Sequence, residues 1–391
     1  MTRNHGNHHR QVTIAFDTWT LGSRFRNTGI HVYASQLLSQ FREIAPQHSV
    51  EFRPLVSSAL PNDGNAFAPS TGFRPHETNL LKLDRGWRFG GACISAFMSN
   101  ADLLFCPSGN TLPVNPLMPI VSTIHDVTLV VFPAFPKRIA RALRFAFANS
   151  AKFSRSIITD SMCSKNDIIN AYGVPESKIH VVYLGFDAGI FNEEPDPQRQ
   201  TAVQQRLGLS RPYLLHHGTI QPRKNLGRLI EAYRNMLSRN PNLEFDLVLV
   251  GNLGWQYEEI VASANRSSPG GRVILAGPQA DADLAALLKG AALVVVPSLY
   301  EGFCLPLVEA MACGVPSICS NASCLPEVSG GVLDYFDPLS AEEMSACMER
   351  TLESRDRLKG LSHRGKERAS QFGWERCAAE TLQILKTAAL N

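Results

Sequence analysis

The sequence predicts an α/β protein built on two doubly wound parallel sheets, and three observations predict it. The chain holds 391 residues, 44% of them apolar, which is long for one hydrophobic core and divides naturally into two domains. Short β-branched apolar runs alternate with segments of helical periodicity, the order that builds parallel βαβ units. Many of those runs stop at a Gly, Pro or polar turn with a helix start beyond it, where open α/β sheets bind ligands.

Charge and cysteine usage narrow the class. The 38 basic and 35 acidic side chains leave a formal +3, which argues against the basic footprint of a nucleic-acid binder. Nine scattered cysteines, an odd number without a CxxC pair, predict reduced thiols in a cytoplasmic protein rather than disulfides or a metal site. The stretch His5-Gly6-Asn7-His8-His9-Arg10 is polar, so no signal peptide is expected there and the start is read as disordered. No apolar run reaches bilayer-spanning length.

In the first half, Val12 to Phe16 reads as a strand, and Val32, Ala34, Leu37, Leu38 and Phe41 recur at helical spacing beyond Gly29, so the glycine opens a helix. Strand, loop, glycine and helix form a potential anion site, although Gly22 and Gly29 are too far apart for a GxGxxG fingerprint. Val50 to Val56 is the next strand and Ser57 to Phe73, rich in Pro, Gly, Asn and Ser, a loop. Leu103 to Cys106 and Ile120 to Ile124 follow as strands, the second delivering His125 and Asp126 at its carboxyl end. That imidazole can donate to a sugar hydroxyl or a phosphate oxygen, with the neighbouring carboxylate orienting or charging it; a purely structural histidine is the competing reading. The helix from Lys137 to Lys152 carries Lys137, Arg138, Arg141, Arg144 and Lys152, interleaved with Phe145, Phe147 and, just beyond, Phe153. It fits an anionic membrane surface or a lipid-linked phosphate, and equally a solvated basic face. Ser156 to Thr159, a helix Met162 to Tyr172 capped by Asp160 and Ser161, and the strand Lys178 to Tyr183 complete this half, before an acidic, Pro-rich linker at Asn192 to Pro197.

The second half opens with the strand Tyr213 to His217 and the turn Gly218-Thr219-Ile220-Gln221-Pro222-Arg223-Lys224-Asn225. Gly218 permits close backbone approach, and Arg223 with Lys224 sets two cations beside a helix start, which suits a pyrophosphate without a metal. Strands at Phe245 to Gly251 and Arg272 to Gly277 end in Gly251 and Gly277, and a helix runs from Asp283 to Lys289. Leu293 to Val296 is a buried strand, Ser298 to Leu305 a turn and Pro306 the first position of a short helix stopped by Gly314-Val315-Pro316. Two carboxylates, Glu301 and Glu309, flank that turn. They would repel phosphate and accept hydrogen bonds from hydroxyls, while the N–H groups of Gly302, Phe303 and Cys304 can face a phosphate, a combination that describes a nucleotide-sugar site. Helices at Ala341 to Ser354 and Trp374 to Ala389 lie in the tail.

Glu301-Gly302-Phe303, Glu309 and the run to Pro316 resemble the E-x7-E signature of the retaining glycosyltransferases of family 4, and Gly218 to Asn225 and Thr123-Ile124-His125-Asp126 match further motifs of that family. The resemblance implies the GT-B fold, with two Rossmann-like domains facing across a cleft: an acceptor-side domain over 1–190, joined by a returning helix at 374–391, and a nucleotide-sugar domain over 191–373. It implies that Gly29, Gly218, Gly251, Gly302, Phe303, Cys304, Leu305 and Glu309 contact the donor, Glu309 through the ribose. Glu301 would bind sugar hydroxyls, Arg223 and Lys224 the diphosphate, and His125 donor or acceptor. One departure stands out, since the family usually has glycine where this chain has Cys304. The expected activity is retaining, metal-independent and cofactor-free transfer of a hexose, mannose from GDP-mannose in the first place, to a saccharide or lipid-linked saccharide in polysaccharide assembly. UDP-hexose donors, a GT-B epimerase or hydrolase, and a non-catalytic nucleotide-sugar binder are the alternatives. Peripheral attachment to the inner membrane face through 137–153 is expected if the basic helix docks there.

Overall fold

The computed structural model describes residues 11–22, 28–57, 73, 75–78, 86–109, 118–132, 137–267 and 270–391. The stretch His5 to Arg10, most of the loop read at Ser57 to Phe73, and residues 133–136 lie outside them. Two compact units make up the chain, one of Met1–Leu184 with Trp374–Asn391 and the other of Gly185–Gly373.

The first unit is a seven-stranded sheet of β1 (Val12–Asp17), β2 (Val50–Ser57), β3 (His76–Thr78), β4 (Leu103–Cys106), β5 (Ile120–Thr123), β6 (Ser156–Thr159) and β7 (Ile179–Val181), in the order 3-2-1-4-5-6-7. Every pairing is parallel, so the strands are covered on both faces and read as continuous apolar runs. The helices are α1 (Gly29–Ile44), α2 (Ala92–Met98), α3 (Thr128–Val131), α4 (Lys137–Phe153) and α5 (Met162–Tyr172). α1 starts where the sequence predicts, with Thr28 accepting from the His31 N–H as its cap. α5 begins after Ser161, whose side chain caps the Ser164 N–H, whereas Asp160 takes no part in the cap. Trp87–Gly91 forms a π-helical turn that leads into α2, and Trp87 is buried beside Trp19 and Leu55.

The second unit is a six-stranded parallel sheet of β8 (Tyr213–His217), β9 (Asp246–Val250), β10 (Val273–Gly277), β11 (Leu293–Val296), β12 (Ser317–Ser320) and β13 (Asp334–Phe336), in the order 10-9-8-11-12-13. Its helices are α6 (Pro197–Arg206), α7 (Leu226–Arg239), α8 (Glu258–Ala264), α9 (Asp281–Gly290), α10 (Leu305–Ala312), α11 (Leu325–Ser329), α12 (Ala341–Leu352) and α13 (Arg355–Ala369). The linker expectation needs correction at its end. Pro197 is the first residue of α6, preset for a helix start by its fixed φ, and Asp196 caps the Arg199 N–H. The winding reverses between β8 and β11, which opens a crevice at their carboxyl ends. A last helix, α14 (Trp374–Leu390), belongs to the first unit. Arg155 Nη1 donates to Ala388 O at 2.8 Å and Lys386 Nζ to His48 O at 3.0 Å, tying α14 to that unit.

Candidate active site at the switch point of the second unit

Gly218 follows β8, and the turn that carries Glu301 follows β11, so the two flank the switch point. Pairing of these neighbouring strands brings together side chains almost eighty positions apart. Glu301, 4% exposed, is gripped from both sides of the crevice. Arg223 Nη1 donates to its Oε2 at 2.5 Å, Lys224 Nζ to its Oε1, and Ser298 Oγ to Oε1 at 2.7 Å. Its backbone is held as well, since Ser323 Oγ donates to Glu301 O at 2.7 Å and accepts from Glu301 N at 3.2 Å. Arg223 also donates to Tyr300 O at 2.9 Å, and Leu299 N donates to Arg223 O at 2.8 Å. Asn225, in the left-handed region at φ 59°, ties the start of α7 to Pro297 O at 3.1 Å and Pro338 O at 2.7 Å.

Burial would raise the pKa of Glu301, but the charges of Arg223 and Lys224, with hydrogen bonds from Lys224 and Ser298, carry it down to about 2. The carboxylate is therefore always charged near neutrality, and the cluster carries one net positive charge instead of two. A carboxylate has about four acceptor positions, and three of them are taken. The separate roles expected from the sequence thus meet in one cluster, in which Glu301 sets the charge and placement of Arg223 and Lys224 and one acceptor position on Oε2 is unfilled among the described residues.

Glu309 is different. It lies one turn into α10, its side chain 17% exposed, with Oε2 3.4 Å from His217 Nε2. Burial and the like charge of Asp281 push its pKa up to about 8. His217 and His216 end β8, and the sequence reading passed over both; adjacent imidazoles one step before the turn glycine are the signal that marks them. His216 Nδ1 donates to Val295 O at 3.0 Å, which leaves its buried Nε2 as an acceptor without a partner among the described residues. Burial and the Lys224 charge lower His216 to about 3, and burial lowers His217 to about 4, so both rings are neutral.

Two backbone positions shape the crevice. A Cβ on Gly251, at φ 144°, would come 2.1 Å from Gly218 O, so the end of β9 packs directly on the turn after β8. Cys304, 6% exposed, sits before α10 at φ 78° and ψ 65°, the left-handed region that favours glycine. That backbone accounts for the glycine usual at this place in the resembled family. Burial and the Glu301 charge raise the Cys304 thiol to about 12, so it stays neutral. Gly302 and Phe303 precede it, and the Phe303 ring packs edge-on against Phe372 at 5.4 Å. Leu305 and Pro306 open α10, where the first N–H groups have no acceptor within the helix.

His125 and Gly29 belong to the first unit. Here the sequence expectation is corrected: the carboxylate beside His125 is Asp160, at the end of β6, and not the adjacent Asp126, whose Oδ1 accepts from Thr128 N. His125 Nδ1 lies 2.8 Å from Asp160 Oδ2 and Nε2 3.2 Å from Pro107 O. Burial opposes a charge on the ring, but the Asp160 carboxylate, its hydrogen bond and the Pro107 carbonyl raise the pKa. Both nitrogens face acceptors, as an imidazolium requires, so a ligand contact through Nε2 means exchange with Pro107. Gly29 is the first residue of α1, and among the described residues nothing lies within 4 Å of a Cβ built there. On α3 and α4, Val130, Val131, Phe145 and Phe153 are exposed, Phe145 to 61%, and Arg144 Nε donates to Leu129 O at 2.8 Å. No helix among the described residues is long and apolar enough to cross a membrane.

Two doubly wound parallel sheets in one chain, with the last helix packed on the first unit, are the GT-B architecture of glycosyltransferases. The solved structure of Anabaena Alr3699/HepE in complex with UDP shares that fold at a TM-score of 0.71 and 19% identity, covering 96% of this chain and 100% of its own. The family model for glycosyl transferases group 1 matches residues 198–368, and that for glycosyltransferase family 4 matches residues 115–189. O-antigen chain mannosyltransferase B of Escherichia coli is 32% identical over 268 residues, 68% of this chain and 70% of that protein. MMP alpha-(1->4)-mannosyltransferase of Mycolicibacterium hassiacum is 30% identical over 284 residues, 69% of this chain and 66% of that protein. The chain belongs to glycosyltransferase family 4 and is a hexosyltransferase.

Proposed function

We propose that the protein transfers mannose from GDP-mannose to a saccharide or lipid-linked saccharide in glycan assembly, with retention at the anomeric carbon and without a metal ion. The observation that carries the donor site is the buried cluster of Arg223, Lys224 and Glu301 beside Glu309 at the switch point. A diphosphate meets one net positive charge on side chains already fixed in place, so stabilising it as a leaving group needs little reorganisation. The helix start at Leu305 adds its dipole. Glu309, rich in unused acceptor positions, takes the ribose hydroxyls, and the open position on Glu301 Oε2 takes one hydroxyl of the sugar. No side chain is assigned as a nucleophile; the leaving phosphate assists deprotonation of the acceptor on the same face. Mannose is supported by what the two curated relatives are named for. The exposed Phe145 and its apolar neighbours beside Arg141 support docking of α4 on an anionic, lipid-bearing surface.

Thermal-shift binding with GDP, UDP, GDP-mannose, UDP-glucose and UDP-N-acetylglucosamine tests the donor. A selective shift with GDP and GDP-mannose is expected. A selective UDP shift moves the donor to a UDP-hexose, and no shift with any nucleotide overturns the site. Lys224→Ala and Glu309→Ala are expected to cut transfer sharply while the fold persists.

A further inference from the structure

His217 ends β8 at the switch point and is 6% exposed. Its Nε2 faces two acceptors, the carbonyl of Pro306 at 3.1 Å and Oε2 of Glu309 at 3.4 Å. A carbonyl can only accept, so the hydrogen bond to Pro306 O places the proton on Nε2 and the neutral ring is the Nε2–H tautomer. Pro306 is the second residue of α10 and Glu309 lies three residues further on, so one imidazole holds the start of the helix through the Pro306 carbonyl and stands beside the carboxyl that the helix carries. Among the described residues, no other hydrogen-bond donor or cation lies against the Glu309 carboxyl. Two other charged groups act on the pair: Asp281 at the start of α9 opposes ionisation of Glu309, and Lys224 opposes protonation of His217. His216, beside them on β8, is neutral.

We infer that His217 is a positioning residue for Glu309: its Nε2–H aims the carboxyl at incoming ligand hydroxyls and hydrogen-bonds the carboxylate form. The inference rests on the reading of Glu309 as the group that accepts the ribose hydroxyls of the nucleotide. A vicinal diol donates two hydrogen bonds and is bound best by the carboxylate. With Glu309 raised to about 8 by burial and Asp281, nucleotide binding releases a proton, and affinity rises as pH climbs through that value. Loss of the Nε2–H removes a donor from the carboxylate form, so the midpoint of this profile moves upward. A purely structural role for the ring would leave the midpoint in place.

The test is calorimetric titration of the full chain with GDP and with UDP across pH 6 to 9, for wild type, His217→Val, His217→Gln, Glu309→Gln and the double variant His217→Val/Glu309→Gln. His217→Val is expected to weaken binding roughly tenfold, the loss of one hydrogen bond to a charged group, and to raise the pH midpoint. His217→Gln keeps an N–H donor and recovers most of the affinity. The double variant binds no more weakly than Glu309→Gln, because the two side chains act through one contact. Losses that multiply in the double variant, or an unmoved midpoint in His217→Val, overturn the inference. Nucleotide binding unchanged in Glu309→Gln strikes the donor-site reading itself, a distinct result. If His217→Val fails to fold, judged by its circular dichroism, His217→Asn, whose shorter amide reaches neither acceptor, takes its place with the same expected outcomes.

Discussion

Glu301→Gln keeps the outline of the side chain and removes one charge from a buried cluster of three. In the wild type the carboxyl is held at about 2 against an ordinary 4.5. That difference of about 2.5 units corresponds to roughly 3 kcal/mol of stability at neutral pH, and at 4% exposure solvent screening takes little from it. The folded-state pKa is depressed, so this stability is present above the unfolded value and is lost as pH falls toward 2. Gln stands in for the protonated acid and leaves the Lys224 ammonium, 6% exposed, without its counter-ion. The variant should therefore be about 3 kcal/mol less stable at pH 7, with the gap shrinking to about 1.5 kcal/mol at pH 3. Urea unfolding of both proteins at the two pH values measures it. A gap under about 1 kcal/mol at pH 7, or one that does not change with pH, would refute the view that Glu301 is the charge partner of Arg223 and Lys224.

Cys304→Gly should melt ~2–4 °C above Cys304→Ala, since a Cβ at φ 78° costs about 1 kcal/mol in the left-handed region; equal melting temperatures would show that this backbone is unstrained. Asp160→Asn should lower the pKa of His125, read from its ring proton resonances, because the main group supporting the charge is gone; an unmoved midpoint would deny the ion pair. The full chain should sediment with phosphatidylglycerol vesicles at low salt, and Arg141→Ser/Phe145→Ser should bind them ~10-fold less, having lost one basic and one aromatic contact. Failure of the wild type to sediment would leave α4 a solvated basic face.

Much of the fold is legible because parallel strands buried on both faces announce themselves as apolar runs, such as Leu103–Cys106 and Leu293–Val296. The three-residue strands His76–Thr78 and Asp334–Phe336 are too short to carry a pattern, and α6 was masked by an acidic, Pro-rich lead-in that looks the same before a linker and before a helix. At the site, Gly218, Arg223, Lys224, Glu301 and Glu309 were readable from local motifs. Their partnerships were not. Glu301 meets Lys224 77 positions away and His125 meets Asp160 35 positions away, contacts created by which strands lie side by side. Cys304 illustrates the same limit at the backbone: a departure from the family motif is visible in sequence, while the positive φ that makes it matter is not.

The last helix carries a consequence for synthesis. α14 buries Trp374, Cys377, Leu382 and Leu385, and the Trp374 ring lies 6.4 Å from that of Tyr33 on α1. Ribosomes emit the amino end first, yet the first unit lacks one wall until Trp374–Leu390 emerges. The second unit, continuous from Gly185 to Gly373, has all its residues before α14 is made, so the usual amino-to-carboxyl order of domain maturation is not imposed by synthesis here. A nascent chain halted before Trp374 would present the uncovered flank of α1 to chaperones, while every residue of the second unit had already been made.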